Sequence, residues 1–197
     1  MTPDVDHAKR ALRAELRERR QLLSERQRDQ TTAGLTAQLD ALVAAHGAQS
    51  VSCFLSTLTE PDTRQFIVGA TARGIRVLLP IMRADGLLDW AVHDSGAEIV
   101  EAAMGVPEPV AEVLGPIAVG EVDLMLIPAA AVDRTGMRLG WGRGYFDKTL
   151  GSMERRPPVY AVVFDSEFVD EVPSDAHDER VNGVVTPTRT VGLSPQS

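Results

Sequence analysis

The 197-residue chain is poor in cysteine, lysine and aromatic residues, and it has no long apolar run. Its one cysteine, Cys53, has no partner for a disulfide within the chain. Cys53 lies in the apolar run Val51-Ser52-Cys53-Phe54-Leu55, with nothing nearby to depress a thiol pKa, and reads as a buried structural thiol. No stretch approaches the roughly 18 uninterrupted apolar residues of a membrane span, and the polar amino end carries no signal-peptide core. A cytoplasmic chain with no membrane partner is expected. The net charge of −8 argues against nucleic acid as a partner, because nonspecific binding needs a basic footprint to displace counterions. All but two of the 20 basic residues are arginine. The two lysines, Lys9 and Lys148, are therefore candidates for positions where arginine will not serve. A zinc-type Cys/His cluster is also missing, as is a hydroxyl nucleophile paired with histidine.

With 44% hydrophobic and 24% charged residues the chain has an ordinary core, and without repeats or linkers residues 1–197 read as one domain. The hydrophobic pattern predicts helices over 8–23, with Leu12, Leu16 and Leu23 on one stripe, and over 26–46, with Leu35, Leu39 and Leu42. A buried strand is predicted at 50–55, a helix at 61–73 closed by Gly74, and strands at 76–80 and 87–92. The run 123–129 is almost continuously apolar, as strands covered on both faces are. A helix over 145–153, a strand over 159–164 and a short one over 184–186 complete the pattern. Alternating helices and strands imply a three-layer α/β/α domain with a mainly parallel sheet. Ligands in such sheets sit beyond the carboxyl ends of the strands, so chemistry is expected in the loop after Ala129.

That loop reads Asp133-Arg134-Thr135-Gly136-Met137-Arg138-Leu139-Gly140-Trp141-Gly142-Arg143-Gly144-Tyr145-Phe146-Asp147. Glycines at every second position let the backbone approach a ligand closely, and Arg138 and Arg143 suit phosphate oxygens. The segment is neither a P-loop nor a dinucleotide fingerprint. Taken alone, the glycines read equally well as a tight connection into the following helix.

The whole block resembles the signature of the 5-formyltetrahydrofolate cyclo-ligase family. The resemblance is carried by Pro128, Asp133, Gly136, Arg138, Leu139, Gly140, Gly142, Gly144, Tyr145, Asp147 and Leu150. It extends to Lys9, Leu12 and Arg13, to Glu60 and Thr63, to Val106-Pro107-Glu108-Pro109, and to Pro173 and His177-Asp178, and so spans nearly the whole chain. It departs at Ala129 (usually glycine), Trp141 (usually another aromatic or a basic residue) and Phe146 (usually tyrosine). The resemblance implies conversion of 5-formyltetrahydrofolate to 5,10-methenyltetrahydrofolate, with ATP as co-substrate and Mg2+ as cofactor; small-molecule substrates and a monomer are expected, although the sequence does not fix the oligomeric state. It implies that ATP meets Lys9, Arg10, Ala11, Leu12, Arg13 and the segment Arg138, Leu139, Gly140, Trp141, Gly142, Arg143, Gly144, Tyr145, with Lys9, Arg13 and Arg138 catalytic. It also implies that folate meets Leu55, Glu60, Trp141 and Tyr145, and that Asp147 and Asp178 hold magnesium.

Each of these residues also has a plainer reading. At roughly 100° per residue Lys9, Arg13, Arg17 and Arg20 form one basic stripe bordering the leucine stripe, which a solvated helix face would also show. Asp147 would equally cap the next turn, and Asp178 would equally be a loop residue. Two rival functions remain open on sequence. One is an enzyme of another class on a similar scaffold, such as a sugar-phosphate isomerase or acyl-CoA transferase. The other is a non-catalytic nucleotide- or RNA-binding module.

Overall fold

The computed structural model describes residues 3–101 and 107–193, which leaves Val106 outside the described residues. The α-helices among the described residues are α1 (Pro3–Gln21), α2 (Glu25–His46), α3 (Arg64–Ala72) and α4 (Tyr145–Ser152). The strands are β1 (Ser50–Ser52), β2 (Arg76–Met82), β3 (Leu88–Val92), β4 (Ile99–Glu101), β5 (Pro107–Pro109), β6 (Val113–Leu114) and β7 (Leu124–Pro128). They continue as β8 (Ala131–Asp133), β9 (Arg138–Leu139), β10 (Val159–Val162), β11 (Phe168–Val169), β12 (Gly183–Val185) and β13 (Thr190–Gly192).

An eight-stranded sheet runs in the order β13-β12-β10-β7-β1-β2-β3-β6. Its centre, β12-β10-β7-β1-β2, is parallel, and β13, β3 and β6 close the edges antiparallel. Strand β7 explains why the middle is two-sided. Leu124 and Leu126 join the core under α2 and α3, whereas Met125 and Ile127 join the opposite core with Leu150 of α4. All four are at most 1% exposed, and burial of such a side chain contributes about 1.5–3 kcal/mol as an upper estimate. Helix α2 is fixed at its start by a capping box, in which Ser24 Oγ accepts the Gln27 N–H and Gln27 Oε1 accepts the Ser24 N–H. It stops at Gly47, whose φ of 60° is a conformation glycine adopts freely.

Several expectations shift. Helix α1 ends at Gln21, so Leu23 lies beyond it. Strand β1 ends at Ser52, although Cys53 to Leu55 stay buried and the Cys53 N–H still bonds the Leu78 carbonyl at 2.9 Å. Helix α1 does not cover the main sheet. Its Leu16 packs with Ala130, Ala131, Leu139 and Val172 against a three-stranded sheet, β11-β8-β9. The segment after β7 is therefore not one long loop. It begins as a hairpin of β8 and β9, too short to show an alternating pattern in the sequence. No helix among the described residues is long and apolar enough to cross a membrane.

Candidate active site

The hairpin is held rigidly by Asp133, which is 4% exposed. Its Oδ1 accepts the Thr135 N–H (2.8 Å), the Thr135 hydroxyl (2.7 Å) and the Met137 N–H (3.1 Å), and Oδ2 accepts the Val172 N–H (3.2 Å). Gly136 sits at the turn with φ 83°, and a Cβ there would lie 2.6 Å from the Val181 carbonyl oxygen. Only glycine fits both demands. The hairpin thus delivers Gly140 to Gly144 to a fixed place. Arg13 Nε donates to the Gly140 carbonyl at 2.7 Å, which ties the glycine segment to α1. Burial lowers the Arg13 pKa from its ordinary value. Gly144 (φ 70°) then caps α4, which carries Asp147 in its first turn.

Above the carboxyl ends of β1 and β7 this segment closes one side of a cleft of about 420 Å³. The floor is apolar, with Phe54, Leu55, Met82 and Pro128, and the aromatic wall is Trp141, Tyr145 and Phe146. Arg17, Arg138, Arg143, Glu60 and Asp147 add charge around it. Such a cleft suits a flat heterocycle carrying a polar edge, next to an anion. Glu60 Oε2 accepts the Thr57 N–H (2.8 Å) and hydroxyl (2.9 Å), which fixes the carboxylate at the rim. A groove of about 730 Å³ adjoins the cleft and shares Thr57, Thr59, Glu60 and Pro107 with it.

Beneath the rim are two ion pairs. Arg138, 3% exposed, donates from Nη2 to Asp147 Oδ1 at 2.8 Å, an oxygen that also accepts the Glu179 N–H at 3.3 Å. Lys9, 6% exposed, donates to Asp178 Oδ2 at 2.5 Å and to Asp175 Oδ2 at 3.1 Å. Burial alone would lower the Lys9 pKa, but the hydrogen bonds that it donates to Asp178 and Asp175 outweigh this and hold the ammonium above its ordinary value. The His177 backbone N–H and Lys9 hold the Asp175 carboxyl below the usual carboxylate range. The basic stripe of α1 is therefore not a solvated face at Lys9 or at Arg20, which is 1% exposed.

The implied magnesium ligands can be tested against these contacts. Among the described residues no cluster of three or more His, Cys, Asp or Glu side chains forms a metal site. Asp147 and Asp178 each use one oxygen in the ion pairs, and no donor bonds Asp147 Oδ2 or Asp178 Oδ1 among the described residues. Each carboxylate thus keeps one oxygen of the kind that suits a hard cation which also takes water and phosphate oxygens.

The sequence-derived candidates divide in two. Leu55, Glu60, Arg138, Gly140, Trp141, Arg143, Gly144, Tyr145 and Asp147 line the cleft. Lys9, Arg10, Ala11, Leu12, Arg13, Leu139, Gly142 and Asp178 do not. Arg10 and Ala11 are exposed, and Arg10 bonds the Asp6 carbonyl of its own helix at 3.3 Å. Leu139 is 1% exposed, its side chain in the core with Leu16, which leaves only its backbone for a ligand. Gly142 faces the Arg13 guanidinium. Sequence reasoning missed Asp175 and the buried pair Arg20–Glu167. Asp175 stands in the same acidic run as Asp178, and Arg20 on the same stripe as Lys9, so both had a signal. Glu167 had none.

Comparison with known proteins is consistent with this geometry. The sequence model described as the 5-formyltetrahydrofolate cyclo-ligase family matches residues 5–187. The 5-formyltetrahydrofolate cyclo-ligase of Mycolicibacterium smegmatis is 34% identical over 189 residues, covering 93% of this chain and 96% of that protein. The Escherichia coli protein of the same name is 29% identical over 180 residues, covering 88% and 97%. The solved structure of Aquifex aeolicus 5,10-methenyltetrahydrofolate synthetase superimposes with a TM-score of 0.79 at 25% identity, over 94% of this chain and 92% of that one.

Proposed function

The chain belongs to the 5-formyltetrahydrofolate cyclo-ligase family, and from that premise we propose that its cleft closes 5-formyltetrahydrofolate to 5,10-methenyltetrahydrofolate with ATP as phosphoryl donor. The observation that carries the reading is the juxtaposition of an apolar, aromatic slot with Arg17, Arg138 and Arg143 at one glycine-rich segment. The slot takes the pterin, and the arginines take the phosphates. The adjoining groove takes the remainder of the folate.

A formamide oxygen is a poor leaving group. The formyl oxygen therefore attacks the γ-phosphorus and the bond to ADP breaks. N10 then adds to the activated carbon, the carbon–oxygen bond breaks, and phosphate departs with the formyl oxygen while N10 loses its proton. The protein's share is alignment and charge neutralisation. Arg143 is exposed at the mouth, where it meets phosphate first. Arg138 and Lys9 supply buried positive charge, and Arg13 holds the Gly140 carbonyl so that the glycine segment keeps its shape. The rim carboxylate Glu60 accepts N–H groups of the pterin. Asp147 and Asp178 would hold magnesium, which when bound neutralises phosphate oxygens. The same reading has the enzyme act in the cytoplasm, as a monomer.

Substrate labelled with heavy oxygen in the formyl group tests the chemistry. The label is expected in the released inorganic phosphate. Label released into water instead would refute activation by phosphorylation.

A further inference from the structure

Arg20, in the last turn of α1, is among the largest fully buried side chains and does not line the cleft. Its guanidinium grips Glu167 with two bonds, Nε to Oε1 at 2.6 Å and Nη2 to Oε2 at 2.8 Å, and Nη2 also donates to the Ala129 carbonyl at 3.0 Å. Glu167 Oε2 in turn accepts the Phe164 N–H at 2.8 Å. One fork therefore joins α1, the residue after β7 and the exit of β10.

Stability is a poor explanation for this pair. A buried ion pair is often no better than apolar residues of the same volume, and Arg20 Nη1 has no hydrogen-bond partner among the described residues. What the pair does hold is a position. The guanidinium carbon lies 4.7 Å from the centre of the Trp141 ring and 5.4 Å from that of Phe164. Trp141 lines the cleft, yet its indole N–H is also unpartnered among the described residues. No directional bond fixes the ring. Contact with the guanidiniums of Arg20 and, at 5.5 Å, Arg17, together with apolar packing near Leu12, sets its orientation.

We propose that Arg20, clamped by Glu167, is a positioning residue that holds Trp141 as the cleft wall against which the flat ring of formylfolate packs, and that it thereby tunes affinity for this substrate and not for the nucleotide. The proposal rests on the reaction assigned above. Its test separates the two. The double substitution Arg20→Met with Glu167→Leu removes both charges together and should fold, and Arg20→Lys keeps the charge but loses the fork. For the double variant the formylfolate KM is expected to rise about tenfold with the ATP KM nearly unchanged, and Arg20→Lys should fall between it and wild type. Acrylamide quenching, measured without substrate, should increase at least about twofold. It reports on Trp141 because the other tryptophan, Trp90, is 0% exposed. A changed melting temperature with wild-type KM and quenching would make the pair merely structural, and a shift in ATP KM alone would also overturn the proposal. Absence of turnover in the wild type would defeat the assigned reaction, while quenching would still decide whether Arg20 holds Trp141.

Discussion

Replacing Lys9 perturbs stability and turnover separately, and the structure sets both magnitudes. The ammonium lies 2.5 Å from Asp178 and 3.1 Å from Asp175, its side chain 8% exposed against 17% and 14% for the two carboxylates. At an effective dielectric near 20, unit charges about 3 Å apart attract by roughly 5 kcal/mol, from which the desolvation of the lysine must be subtracted. Lys9→Met leaves two carboxylates without their counter-charge, but water reaches them in part. The expected loss is about 2–4 kcal/mol, below the full range for breaking a buried pair, and a fall in Tm of about 5–15 °C. Lys9→Arg keeps the charge but forces a larger group into a closed site, with a loss of about 1–3 kcal/mol. By sequence alone the exchange preserves stability, because both residues are good helix formers and the position borders solvent; the burial of Lys9 overturns that expectation. Because the Lys9 pKa is raised, its stabilisation is complete below the unfolded-state value of about 10.4 and is lost as pH rises through the folded value. Wild type and Lys9→Met should therefore converge in stability only in strong alkali. Thermal melts give the first quantity, and initial rates well below both melting temperatures give the second. Both variants should lose at least about tenfold in kcat, roughly 1.4 kcal/mol, because the compact ammonium is assigned to the transferring phosphoryl group. A Lys9→Arg enzyme with wild-type kcat and ATP KM would remove α1 from the chemistry.

Asp147→Asn should raise the magnesium requirement and also lower stability by about 1–2 kcal/mol, since Arg138 beneath it is buried and loses its counter-ion. Turnover across magnesium concentrations and a melt check the two halves. Glu60→Gln should raise the formylfolate KM several-fold with kcat and ATP KM little changed, as steady-state kinetics would show. Gly136→Ala should cost about 2 kcal/mol or more, from the positive φ and the clash with the Val181 carbonyl, and denaturant melts measure it. Burial pushes the Cys53 thiol up to about 12, so iodoacetamide at pH 8 should label it only after unfolding, which mass spectrometry reads directly.

What could be read from sequence and what could not follows from range. The runs at 124–127 and 159–162 are continuously apolar, as strands covered on both faces are, and the leucine stripe of α2 repeats at the helix period, so the pattern alone places them. The hairpin β8–β9 does not, because Ala131-Val132-Asp133 is too short to alternate and its rigidity comes from one carboxylate bonding Thr135, Met137 and Val172. The glycine segment was legible as a candidate cleft wall through its spacing and its arginines, and Arg138, Gly140, Arg143 and Gly144 do line the cleft. Leu139 was legible as part of the same motif, but its side chain serves the core. Arg20 shares the stripe of Lys9 and Arg13, and nothing within α1 marks it as buried. Its partner Glu167 is 147 residues away in sequence, and a contact of that separation leaves no periodic trace. The same holds for Lys9 and Asp178, whose pairing turns an apparent surface lysine into a buried one.

The most direct test of the assigned reaction follows methenyltetrahydrofolate absorbance in a mixture of the purified protein and 5-formyltetrahydrofolate. The expected result is a steady rise when ATP and magnesium are both present, and a flat trace when either is withheld. A flat trace with both present, or a rise that does not need ATP, would contradict it.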